Sequence, residues 1–389
     1  MAGMLFSMTG QVRAMEPFAA PVQTGLQPQV SYAVQHDLSA PLAELAIKAA
    51  GEPEKYSESP MLEIPRSVKT ELGMPEPDGA LQQAPVTGNM PATIANFDGI
   101  SNVAGVAPPD TQGDIGYDPA TGNKYYMQWV NLHIQAWNVT NPAAPVALFP
   151  SPIPGNQIWS GFGGVCSSSN DGDPIVLYDE QANRWFISQF AVDGPYYNCI
   201  AVSQTSDPAG AYYRYAFLYS NTKMNDYPKY GIWPDGYYMT VNQFTNASTW
   251  GGAGVAVYER EQMLTGGVAR QVIFDLESVN NGYGGMLPVD YEGTPPPPGT
   301  PAYFAEVDDS TWGLGPVDEM RIWRFSTNWA TNTFTFGAGG QPNQVLPVAN
   351  FNLICEGNRD CVPQPGVTQK LDAIGDRLMY RLAYRHLDS

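Results

Sequence analysis

The stretch Asp235-Gly-Tyr-Tyr-Met-Thr-Val-Asn-Gln-Phe244, followed by Gly254-Val-Ala-Val-Tyr-Glu-Arg-Glu261, decides the fold. Aromatic and β-branched residues crowd both segments, a turn-rich gap separates them, and neither carries helical periodicity, so each reads as a strand. The same pairing of an aromatic-led strand with a second strand recurs along the chain. Lys124 to Asn131 is followed by His133 to Val139, Asn183 to Phe190 by Asn198 to Pro208, and Pro301 to Asp309 by Met320 to Trp329; Asp376 to Arg385 opens one more unit. The spacing is uneven, roughly 50 to 80 residues, near or above the period of propeller blades. A β-propeller-like domain of repeated short antiparallel sheets is therefore expected over residues 96–389, with long Gly/Pro-rich insertions. GGMLPVDYEGTPPPPGTP reads as one such insertion, a Pro-rich loop outside any central sheet. A β-sandwich with long loops is the alternative.

Residues 1–95 differ in texture, being rich in Pro, Gln, Ala and Glu, and read as an extended leader. One short helix is expected there, where Asp37-Leu38-Ser39-Ala40-Pro41 offers capping residues ahead of good helix formers. The chain's first residues hold a brief apolar patch without the basic and long apolar regions of a full signal peptide.

Thirty-five Pro and 39 Gly in 389 residues argue against long helices. A net charge of −19 repels polyanions, which sets nucleic acid aside and favours cations or neutral polymers as partners. No run approaches the ~18–20 apolar residues of a membrane span. Cys355 and Cys361 close a short loop and Cys166 and Cys199 flank one strand pair, so two disulfides formed in an oxidising compartment are expected, against the alternative of four buried thiols. Three His and no CxxC pair leave few ligands for zinc or haem.

Acidic turns just before the aromatic strands are the main functional signal. They are PPDTQGDIGYD with Asp110, Asp114 and Asp118, NDGDPIVLYDE with Asp171, Asp173 and Asp179, NDYPKYGIWPDG with Asp226 and Asp235, and KLDAIGDRL with Asp372 and Asp376. If these turns converge on one mouth, the carboxylates can ligate Ca²⁺ through oxygen, with Asp110, Asp114 and Asp173 as metal candidates. Two of them, Asp114 and Asp376, are instead candidates for acid and base in glycoside cleavage. The plain structural reading is that each Asp caps its own turn. Loop tryptophans, Trp159 and Trp233 foremost, are candidate sugar platforms, against the commoner fate of Trp as core. The candidate ligand-binding set is thus Asp110, Asp114, Asp173, Asp226, Asp372, Asp376, Trp159 and Trp233.

Across PPDTQGDIG, WSGFGGVC, NDGDPIVLYDEQANRWFISQF, YYNCIAVSQTSDPAGAYYRYAF, NDYPKYGIWPDGYYMTVNQF and KLDAIGDRLMYRLAYR, the chain resembles a group of large, uncharacterised secreted bacterial proteins. The resemblance covers residues 96–385 and implies export and a propeller-like fold, without bringing catalytic residues. Members continue beyond DRLMYRLAYR with further strand segments, which implies a C-terminally truncated domain with an open sheet edge. Three functions follow as expectations: a secreted or cell-surface module that binds an extracellular polymer, glycan foremost, with calcium; a glycoside hydrolase or lyase; or a self-assembling extracellular subunit.

Overall fold

The computed structural model describes residues 25–49, 62–66, 91–351 and 360–387. The fold is nearly all-β, 43% strand against 8% helix, as the Gly and Pro content requires. Two strands of the leader, β1 (Gln29–Tyr32) and β2 (Gln35–Leu38), precede helix α1 (Leu42–Ala49). Four antiparallel sheets then follow one another along the chain. Sheet 1 holds β3 (Gln112–Tyr117), β4 (Lys124–Val130), β5 (His133–Asn138), β6 (Val146–Ala147) and β7 (Ile153–Pro154). Helix α2 (Gly164–Ser168) leads to sheet 2, which holds β8 (Ile175–Asp179), β9 (Arg184–Ala191), β10 (Tyr196–Ser203) and β11 (Tyr212–Ser220).

Sheet 3 comprises β12 (Lys223–Trp233), β13 (Gly236–Thr245), β14 (Thr249–Tyr258) and β15 (Arg270–Asp275), with α3 (Arg260–Thr265) between the last two. Sheet 4 comprises β16 (Leu287–Tyr291), β17 (Ala302–Asp308), β18 (Glu319–Asn328), β19 (Thr333–Phe336) and β20 (Gln344–Pro347). A small pair, β21 (Asp360–Val362) with β22 (Leu371–Asp372), precedes β23 (Leu382–Tyr384), which lies parallel to β16.

The burial patterns give the order of packing. In β9, β13 and β14 nearly every residue is buried, because sheets 2 and 3 are covered on both faces. In β4, β17 and β18 buried residues alternate with more exposed ones, as expected for strands with one face covered. The core between sheets is strongly aromatic; Phe186 meets Tyr237 at 4.6 Å and Phe217 meets Tyr258 at 4.9 Å between ring centroids.

The leader is built into this body. β1 adds a strand to the outer edge of sheet 3 by pairing with β15, and β2 does the same to sheet 2 by pairing with β11. Both edges are thereby satisfied by residues outside 96–389. Arg214 of β11 grips Asp37 with two hydrogen bonds of 2.8 and 2.6 Å, and α1 buries Leu42, Leu45 and Ala46.

Three expectations for strands need correction. The expected unit-opening strands are the second strands of sheets 1–4, and the acidic turns themselves run into the first strands. In sheet 4 that first strand is β16, Leu-Pro-Val-Asp-Tyr, which lies inside the segment read as a Pro-rich loop. Pro288 is tolerated because β16 pairs with β17 over only Leu287 and Pro288, after which it turns to β23. β16 also approaches β12 so closely that a Cβ on Gly231 would collide with the Val289 carbonyl. The expected strand over Asp376 to Arg385 is reduced to Leu382–Tyr384, and the side chains ahead of it reach Tyr227, Tyr230 and Asp114.

Candidate functional site

The first strands of the four sheets lie side by side, β3 against β8, β8 against β12 and β12 against β16. No β-ladder joins them, so the N–H groups along these edges need acceptors. Aspartates supply them. Asp114 of β3 accepts the Tyr178 N–H of β8 at 2.9 Å, Asp173 accepts the Tyr227 N–H of β12 at 3.2 Å, and Asp290 of β16 accepts the Ile232 N–H of β12 at 2.7 Å. A carboxyl oxygen accepts a backbone N–H in either protonation state, so these bridges do not depend on the charge of the group. The recurrent acidic openings therefore have a first, structural cause, which is to stitch neighbouring sheets along their inner edges.

At the end where these strands begin, the turns bring Asp110, Asp173 and Asp226 together. Asp110 and Asp173 have left-handed backbones, φ 40 and φ 45, which Asp tolerates better than branched residues do. Burial, and after it the charge of Asp173, push the Asp110 carboxyl up to about 7. Asp226 is held well above the usual carboxylate range by burial and then by Asp173, and Asp173 itself is raised by burial. Lys229 opposes the shift at all three. Its ammonium sits 3.9 Å from the centre of the Tyr227 ring, and the Arg377 guanidinium lies 4.5 Å from the same ring. The site thus couples three carboxyls that favour their neutral form to two cations gathered on one tyrosine.

The other expected site residues fall elsewhere. Asp114 is bound by Arg381 at 2.8 Å, and Arg381 also reaches Asp290 at 3.4 Å, tying the first strands of sheets 1 and 4. Asp376 is buried and paired with Arg377 at 2.8 Å. Both members of the expected catalytic pair are therefore committed to guanidinium groups. Asp372 accepts the Ile374 N–H at 2.7 Å within its own turn.

Trp159 and Trp233 are corrected from platforms to core: their side chains are buried, and Trp233 donates to the Thr300 carbonyl at 2.9 Å while packing edge-on against Tyr384 at 4.8 Å. Among the described residues no group of three or more His, Cys, Asp or Glu side chains is arranged to hold a metal ion. Asp114, the third expected metal ligand with Asp110 and Asp173, is engaged by the Tyr178 N–H and by Arg381.

Cys166 of α2 is bonded to Cys199 of β10. Cys361 is disulfide-bonded as well, and Cys355 lies outside the described residues. Among the described residues no helix is long and apolar enough to cross a membrane. The residues that sequence reasoning missed are Tyr227, Lys229, Arg377, Arg381 and Asp290. Lys229 carried a readable signal, because NDYPKYG places a cation inside an acidic turn of a chain with only 19 Lys and Arg.

No family model and no curated protein matches the chain. Among solved structures, the chain is similar to the GH43 BlXynB protein from Bacillus licheniformis at a TM-score of 0.22 and 12% identity, over 63% of this chain and 59% of that one. The match spans less than two thirds of that protein, and a likeness at this level carries no argument about activity.

Proposed function

We propose that the chain is a secreted binding module in which the four sheets act as blades of a propeller, and that the end carrying Asp110, Asp173 and Asp226 recognises a neutral extracellular polymer, glycan foremost. One observation supports this reading: three carboxyls from the openings of successive sheets are gathered around Lys229, with Asp110 near 7. A protonated carboxyl both donates and accepts, which matches sugar hydroxyls, while an ionised one only accepts. The disulfide Cys166–Cys199 supports an oxidising compartment.

The test is calorimetric titration of the full chain with a panel of neutral polysaccharides, repeated with Asp173→Asn. Saturable binding that the substitution weakens by about tenfold or more supports the reading. An unchanged affinity in the variant, or no binding by any member of the panel, counts against it. Calcium enters as a second ligand in the same experiment. A rise in melting midpoint with Ca²⁺ that Asp173→Asn abolishes would place a cation among these carboxyls.

A second reading is favoured by the proton affinity of Asp110. A carboxyl near 7 beside others of different environment is a general-acid candidate for glycoside cleavage. This moves the catalytic pair from Asp114 and Asp376 to Asp110 and Asp173. New reducing ends released by wild type but not by Asp110→Asn would establish it, and equal release by both sinks it.

A further inference from the structure

The partners described for Leu62, Ile64 and Arg66 lie in sheets 2 to 4 and the segments beside them, far away in sequence. Leu62 packs on a cluster of Phe190, Tyr196, Met224 and Phe244, residues at the ends and beginnings of strands in sheets 2 and 3. Ile64 is buried beside Gly284 and Gly285. Arg66 then enters a pocket made by sheet 4 and the loop before it. Its guanidinium carbon stands 4.2 Å from the centre of the Trp312 ring. One Nη donates to the Gly282 carbonyl at 2.8 Å and the other to the Gly284 carbonyl at 2.9 Å. Glu306, then Asp376 and Asp308, act on it as negative charges.

Each wall of this pocket answers one property of a guanidinium. A flat delocalised cation stacks on an indole ring, where a compact ammonium gains less from the shape. Two carbonyls spaced for two parallel N–H donors fit a planar fork. Glu306 is buried in β17; burial raises its carboxyl to about 7, and Arg66 and then Arg321 oppose that rise. Without Arg66, two carbonyls and a share of a buried acid would lose their partner, so the pocket is chemically incomplete when empty.

We propose that Trp312, the carbonyls of Gly282 and Gly284, and the carboxylates of Glu306 and Asp308 form a guanidinium-binding site, that the leader's own Arg66 fills it in the intact chain, and that arginine-bearing peptide is its ligand class. The site is distinct from the three-carboxyl cluster yet adjacent to it. Gly285 is packed among Ile64, the Arg377 Cβ and the Asp376 carbonyl, and the Arg377 guanidinium lies on the Tyr227 ring. Occupancy by Arg66 therefore fixes the segment that carries one of the two cations of the cluster.

The test uses full-length Arg66→Ala with ethylguanidinium as the probe and ethylammonium at equal concentration as the control. Ethylguanidinium is expected to raise the melting midpoint of the variant saturably at millimolar concentration, ethylammonium is not, and wild type binds the probe at least about tenfold more weakly because Arg66 already occupies the site. No rise, an equal rise with ethylammonium, or an equal response from wild type overturns the proposal. If Arg66→Ala fails to fold, wild type labelled with nitrogen-15 arginine decides. The Arg66 Nε–H is buried without a partner among the described residues, so its hydrogen exchange should be far slower than that of Arg385, whose side chain is 70% exposed. Equal exchange rates would show that Arg66 does not reside in the pocket.

Discussion

Asp179 and Asp173 stand six residues apart in one acidic stretch, at the far end of β8 and just before it, and the protein uses them in opposite ways. Asp179 is fully buried and fully answered. Arg260 binds both of its oxygens, at 2.6 and 2.8 Å, and the Tyr237 hydroxyl adds a third hydrogen bond at 3.0 Å. Asp173 shares one lysine with two other carboxyls, and all three are driven toward the neutral form. A matched buried pair contributes mainly through the penalty of breaking it, whereas an under-neutralised cluster keeps its protons exchangeable. The first arrangement holds sheets 2 and 3 together, and the second is where a ligand can change the balance.

The largest expected effect comes from destroying the match. Arg260→Met leaves Asp179 buried and uncompensated and should cost about 3–5 kcal/mol in urea unfolding. Adding Asp179→Leu should recover most of that loss. If Arg260→Met costs under about 1 kcal/mol, water reaches Asp179 and the contrast with Asp173 collapses. Next is Lys229→Met, which removes the cation that opposes the shift of all three carboxyls. The expected loss is about 1–2 kcal/mol at pH 8 and less at pH 5, where the carboxyls hold their protons and need no counter-charge. A loss that does not vary with pH would mean Lys229 acts only by packing on Tyr227.

Asp110→Asn reads the same cluster through linkage. With its folded value near 7, above that of the unfolded chain, the folded protein holds an extra proton between roughly pH 4 and 7. Wild-type stability from this group therefore falls as pH rises through that window and is level on either side. Asn has no such dependence, so the variant's stability relative to wild type should climb from pH 4 to 7 and then flatten. Urea midpoints at four pH values check this, and parallel profiles would mean that Asp110 does not titrate there.

The strand content and the acidic openings were legible because both are written in consecutive residues. Aromatic runs such as Tyr237 to Phe244 reveal strands locally, and Asp110, Asp173 and Asp226 share a turn context. What stayed hidden depends on partners far away in sequence. Arg381 commits Asp114 across 267 positions, and nothing in PPDTQGDIGYD announces it. Trp159 and Trp233 sit among Gly and Asn, as platforms do, but neighbouring strands cover them. β16 hid behind its proline because an inner strand with few ladder bonds tolerates Pro288, and the usual reading of Pro assumes a full ladder. The leader's strands were also out of reach. Gln29–Tyr32 and Gln35–Leu38 have little strand character alone, and the outer edges of β15 and β11 impose it.

The smallest effect sets the boundary of the comparison. Asp372 belongs to the same family of acidic openings as Asp173, yet its oxygen accepts the N–H two residues on, as an Asx turn does. Asp372→Ala should therefore cost about 0.5–1 kcal/mol, the usual net contribution of one partly exposed hydrogen bond, and leave polymer affinity unchanged. Melting and titration on the same sample separate the two readouts. A variant that melts normally but loses polymer binding would extend the site along KLDAIGD, and Asp372 would then stand with Asp173 among the groups whose balance a ligand changes, not with the turn caps.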